Sequence, residues 1–203
     1  MRIYEKYPEI LSLNAKILDK RYKDNISQII LDKTILMPED GFLLKDYKSL
    51  DGKEILNIKE NKGKVIISIK GKISKENIEI LVDKNLRYRN LAYNTAYILF
   101  QIFLDAFYGK HKTKLTLTED TATISITDLH DDFDPKVIEE MMTYAIKKGL
   151  PIKNEAGLTT IDGLDSVVNS YINFDNTYKI WSFEITNIRS DGRNTIISFK
   201  AGQ

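Results

Sequence analysis

LAYNTAYILFQIFLDAF, residues 91–107, is the most apolar stretch of the chain, and it separates two differently patterned halves. Its apolar residues recur at every helical offset rather than along one stripe, which predicts a helix buried on nearly all sides. The expected helix runs from about Tyr88 to Phe107 and stops near Gly109, a C-terminal glycine. Asn94, Gln101 and Asp105 interrupt the apolar run, so it falls short of membrane-spanning character. Asn94 poses a question of its own. It is a carboxamide one turn ahead of Ile98, on the same helix face.

Upstream of this helix the pattern is β. SQIILDKTIL (27–36) is rich in β-branched residues and ends at Pro38-Glu39-Asp40-Gly41, a turn signal. Asp51-Gly52 precedes KEILNIKE, Asn61-Lys62-Gly63 precedes KVIISIK, and Gly71 precedes ENIEILVD. Short strands at this spacing predict a small barrel or sandwich.

Downstream, KLTLT and TATISITD read as a hairpin turning at Glu119-Asp120, with Ala122, Ile124 and Ile126 on one face. Asp134-Pro135 opens a second helix, since Asp caps and Pro fits the first turn. Its apolar stripe is Val137, Ile138, Met141, Met142, Ala145 and Ile146, and Gly149 and Pro151 end it. KIWSFEITNIR and NTIISFK flank Ser190-Asp191-Gly192-Arg193 as a last hairpin, and Trp181 is expected in the core. Residues 153–175 read as strand or short helix. The fold class is therefore α+β, with an N-terminal β-barrel domain over 1–84 and an α+β domain over 85–203, whose long buried helix lies on an antiparallel sheet.

Composition narrows the chemistry. The chain has 203 residues, 42% hydrophobic and 29% charged, as expected of a globular protein with a real core. Thirty basic and 29 acidic residues leave a net charge of +1, so nucleic-acid contact needs a local patch. There is no cysteine, which removes disulfides, thiolate nucleophiles and every cysteine-containing zinc site. MRIYEKYPEI has no apolar signal core, and the expectation is a soluble cytoplasmic protein without a membrane partner.

Three stretches in order resemble the alanyl-tRNA synthetase editing domain and its free-standing AlaX relatives. IILDKTILMPEDGFLLKD (29–46) is similar to the family's LD-T-x-x-x-P-E-G-G-G-Q-P-x-D segment. RYRNLAYNTAYILFQIFLDAFYG (87–109) is similar to its R-x-x-N/H-x-x-x-H-T-A-T-H-L-L helix. ISITDLHDDFDPKVIEEMMTYAIKKGLPI (124–152) resembles the strand, helix and turn that follow. The resemblance implies a barrel followed by an α+β editing domain, and hydrolysis of wrongly charged tRNA with a zinc ion held by His-x-x-x-His and Cys-x-x-x-His.

The resemblance puts Asn94 and Ile98 at the two helix histidines. Matching NSYINFDNTYKIW (169–181) to C-G-G-T-H-V-x-N-T-x-E-I-G puts Asn169 at the cysteine and Asn173 at the later histidine. Zinc takes imidazole, thiolate or carboxylate donors, so no zinc cofactor is expected at these former metal-ligand positions. Thr34, Glu39, Leu43, Asp46 and Thr95 are the implied pocket residues. Asp40, Phe42, Leu43 and Leu44 depart from the family's glycine-rich loop, which implies a reshaped, more apolar cleft. Asn94 is either a locally hydrogen-bonded polar residue or a remnant pocket residue; Ile98 reads as core.

Two further clusters carry alternatives. Asp128, His130, Asp131, Asp132 and Asp134 form either a replacement metal site or acids favoured by a helix N-terminus. Arg87, Arg89, Lys110, Lys112 and Lys114, with Tyr88, either hold tRNA phosphates or line a solvated surface. The functional expectation is an AlaX-like protein that binds or acts on tRNA or aminoacyl-tRNA without zinc-dependent deacylation. A metal-independent deacylase and a non-catalytic protein-interaction module are the alternatives.

Overall fold

Long β1 (Ser12–Lys23) organises the first half of the fold by pairing with a different strand along each of its two parts. In the computed structural model, which describes residues 1–38, 43–119, 121–129, 132–155, 157–169 and 172–202, the chain forms two compact units, Met1–Tyr88 and Arg89–Gln203. In the first unit, Ser12–Lys16 of β1 pair with β6 (Asn77–Val82), and Ile17–Lys23 pair with β2 (Ile26–Leu31). With β3 (Tyr47–Leu50), β4 (Ile55–Asn61) and β5 (Lys64–Lys70) they make one antiparallel sheet of order β3-β6-β1-β2-β5-β4. Register shifts at Ile17/Asp19, Tyr47/Ser49 and Ile55/Asn57 bend the strands and curl the sheet.

β3 and β4 are the two edges, so the expected barrel is an open, curled half-barrel, with Leu50 and Lys53 bridged across the turn between them. Ile29, Ile58, Ile67, Ile69 and Ile80 fill its concave core. Asp24 and Asn25, both at positive φ, turn β1 into β2, a two-residue hairpin geometry that Asn and Asp tolerate.

α1 (Lys84–Tyr108) begins in the first unit and continues through the second. Asp83 starts it: Oδ1 accepts the Asn85 and Leu86 amides at 2.9 and 3.1 Å. The Leu86 amide in particular holds the Asp83 carboxyl below its ordinary range. From Leu91 to Leu104 the helix is buried nearly all round, as its unstriped apolar pattern dictates. Tyr93 packs on Phe199 and Phe100 on Phe183, with ring centroids 5.3 and 6.2 Å apart. Those phenylalanines belong to β12 (Phe183–Asp191) and β13 (Asn194–Ala201), which join β8 (Ala122–Thr127) and β7 (Thr113–Leu117) in a four-stranded antiparallel sheet.

α2 (Pro135–Lys148) is capped by Asp134, whose side chain accepts the Lys136 amide. It ends at Gly149, at φ +69°, a conformation glycine takes without a side-chain penalty. The ambiguous stretch resolves into strands β9 (Ile152–Glu155), β10 (Leu158–Ile161) and β11 (Ser166–Val168), a three-stranded antiparallel sheet of order β11-β10-β9. No described helix is long and apolar enough to cross a membrane.

Candidate functional site

Three of the four motif-matched positions meet in one hydrogen-bonded cluster in the second unit. Asn94, fully buried on α1, donates from Nδ2 to the Ile172 carbonyl at 2.8 Å and to Asn173 Oδ1 at 2.6 Å. Asn173 donates from its own Nδ2 to Asn154 Oδ1 at 2.9 Å and to Thr159 Oγ1 at 3.1 Å. Asn154 and Thr159 are opposite each other in the β9–β10 ladder, and the Thr159 hydroxyl donates to Asn154 Oδ1 at 2.7 Å. Asn169, just past β11, donates to Thr159 Oγ1 at 3.2 Å. Thr159 thus uses its single proton and accepts twice, its full capacity.

The backbone that carries Asn173 is pinned to α1 and α2. Thr95, next to Asn94, donates to the Leu91 carbonyl and accepts the Phe174 amide at 3.0 Å. Thr177 donates to the Ala145 carbonyl and accepts the Leu150 amide, each at 2.7 Å. Asn176 reaches the Gly149 carbonyl at 3.0 Å. Polar contacts at Thr95, Asn176 and Thr177 therefore set where the asparagines stand.

One atom of the cluster is left over. Asn94 Oδ1 is buried and accepts no hydrogen bond from the described residues. A buried carbonyl oxygen without a donor costs free energy, and it offers an acceptor to any N–H or O–H group that reaches it.

Zinc does not fit this donor set. Asn94, Asn169 and Asn173 are neutral carboxamides, two of them turned on each other, and Ile98 is a hydrocarbon packed in the core at 1% exposure. The acidic loop offers no substitute among its described members. Asp128 pairs with Arg193 at 3.1 Å, Asp134 caps α2, and Asp132 is exposed; His130 and Asp131 lie outside the described residues. Among the described residues, no group of three or more histidine, aspartate or glutamate side chains gathers as a metal ion requires.

The other expected residues divide between the units. Thr34 is buried in the first unit and accepts the Leu36 amide at 3.0 Å; Leu43 is half-buried there, and Glu39 lies outside the described residues. Asp46 is no open pocket acid. It is buried against Arg87, which also donates to the Pro8 and Ile35 carbonyls, each at 2.8 Å. That corrects the expectation for Arg87 as a tRNA contact: its guanidinium has no exposed surface and is spent inside the fold. The Asp of the first motif and the Arg of the second are one buried ion pair, 41 residues apart in sequence.

Arg89 is also committed, donating to the Thr118 and Glu119 carbonyls and lying over the Tyr93 ring. Lys110, Lys112 and Lys114 are exposed on the segment that follows α1. Sequence reasoning missed Asn154 and Thr159, whose only signal was a polar pair flanking a glycine turn. It also misplaced Trp181, which is 65% exposed.

An α+β chain with these three stretches in order, and carboxamides at three of the four positions matched to metal donors, resembles proteins of the alanyl-tRNA editing type. It is a distant homologue of alanyl-tRNA editing protein AlaX-L from Pyrococcus horikoshii, with 27% identity over 133 residues, 62% of this chain. The match covers 33% of that relative, so the chain spans about a third of its length. No protein-family model matches the chain.

Proposed function

We propose that the chain is an AlaX-like module that binds tRNA or aminoacyl-tRNA without the family's zinc-dependent deacylase chemistry. In this reading residues 1–84 are a barrel-type domain and residues 85–203 an editing-like domain. The observation that carries it is the carboxamide cluster. Asn94, Asn169 and Asn173 occupy motif-matched positions and are joined through Thr159 and Asn154, so helix and sheet are tied by amides where a metal would tie them. Exposed Lys110, Lys112 and Lys114 supply local positive charge on a chain whose net charge is near zero.

The test is retention of labelled tRNA, charged and uncharged, by the purified chain at low and moderate salt. The reading expects salt-sensitive retention. Failure to retain either form at low salt contradicts it and leaves the protein-interaction reading. Release of free serine, glycine or alanine that persists in chelator establishes the metal-independent deacylase instead.

A further inference from the structure

Trp181 combines a strained backbone with an unburied side chain. It follows the 3-10 turn Thr177–Ile180 at φ +71° and ψ −61°. The Ser182 amide donates to the Ile180 carbonyl at 2.9 Å, closing a γ-turn of positive φ, rare and strained for any residue with a side chain. The editing-family motif has glycine at this place. Here the chain carries its bulkiest residue type, and at 65% exposure little burial offsets the strain.

The surroundings are aromatic and basic. Tyr178, 54% exposed, lies in that turn, and its carbonyl accepts the Trp181 amide at 3.1 Å. Its side chain lies against the end of α2, where a Cβ on Gly149 would meet it at 3.7 Å. One turn back, Tyr144 is 58% exposed, and the Lys148 ammonium stands 5.6 Å from its ring centroid. Lys147 is exposed beside it. Asp175 is paired with Lys179 at 2.8 Å; Glu140, one turn before Tyr144 on α2, and Glu184, three residues past Trp181, are exposed acids. The Gly149–Tyr178 approach and the Lys148–Tyr144 contact bring exposed rings and two lysines to the C-terminal end of α2, with Trp181 three residues past Tyr178.

We infer that this surface stacks unpaired nucleobases of an RNA strand on Trp181, Tyr178 and Tyr144, while Lys147 and Lys148 meet the flanking phosphates. Rings with lysines at their rim match a strand that alternates π-faces and negative charge. The inference deepens the RNA-binding reading and rests on it.

Trp181 is the chain's single tryptophan, so indole emission, excited at the red edge where tyrosine does not absorb, reports this position alone. The experiment titrates the full chain with a fluorescein-labelled, unstructured oligoribonucleotide and with labelled tRNA, following indole emission and label anisotropy separately. Saturable quenching that tracks the anisotropy is expected. Trp181→Gly, which the backbone accepts, is expected to unfold no more easily than the parent yet bind about tenfold more weakly. Lys147→Gln/Lys148→Gln is expected to flatten the salt dependence. Binding by anisotropy with unchanged emission, and undiminished in Trp181→Gly, overturns this surface but leaves the RNA reading standing. No binding of either RNA overturns both.

Discussion

Asn173→Ala is the perturbation that tests the amide cluster most severely. The substitution removes at least three hydrogen bonds, one accepted from Asn94 and two donated to Asn154 and Thr159. At about 1 kcal/mol each, the loss is about 3 kcal/mol. Asn94→Ala removes two hydrogen bonds but also deletes the partnerless Oδ1, whose burial already costs about 1–3 kcal/mol. Its net cost is therefore expected to be about 1 kcal/mol or less. The double variant is expected to fall short of the summed single losses by about 1 kcal/mol, the shared Asn94–Asn173 bond. Urea unfolding followed by Trp181 emission reads the second unit directly, since the indole lies within it. A loss for Asn173→Ala of under about 0.5 kcal/mol, or strict additivity, would refute the idea that these amides replace a metal as the tie between helix and sheet.

Three other perturbations follow from the geometry. Arg87→Met strands Asp46 as a buried, unpaired carboxylate and is expected to cost about 3–5 kcal/mol in denaturant melts, with Arg87→Met/Asp46→Leu recovering most of it; a silent single variant would contradict the buried pair. Among the described residues Asp105 Oδ1 is buried without a hydrogen-bond partner, and burial raises its carboxyl above the ordinary range, opposed by the His111 amide. A raised native value means the fold favours the protonated form relative to the unfolded chain, so Asp105 contributes stability below its unfolded value and loses it as pH climbs through the native one. Asp105→Asn is accordingly expected to raise Tm at neutral pH and to lose that gain in acid; a pH-independent effect would count against it. Gly149→Ala, at φ +69° and with its new Cβ 3.4 Å from Asn176 Oδ1, is expected to lower stability by about 1 kcal/mol in thermal melts, and no loss would question the left-handed cap.

Local rules carried the reading of the helices and hairpins. The unstriped run at 91–107 announced a buried helix, Asp134-Pro135 and Gly149 framed α2, and the Glu119-Asp120 and Asp191-Gly192 signals separated real strand pairs. What escaped depended on long-range pairing. SLNAKILDKRYK shows no clean alternation because most of β1 is exposed, so its place at the centre of the sheet rests on its neighbours. Asn154 and Thr159 became legible only once β9 and β10 were paired. Arg87 and Asp46 were each readable as motif residues, but nothing local said that one would cancel the other. Trp181 was misjudged because hydrophobicity argues for burial, whereas its backbone turns the indole outward.

The chemistry of the Asn94–Asn173 cluster is measured most directly by the rate of deacylation of seryl- and glycyl-tRNA by the full chain, with added zinc and with chelator. A rate that stays at the uncatalysed level, indifferent to both additions while the chain still retains the tRNA, is the predicted result. Hydrolysis that zinc accelerates and chelator abolishes would contradict it.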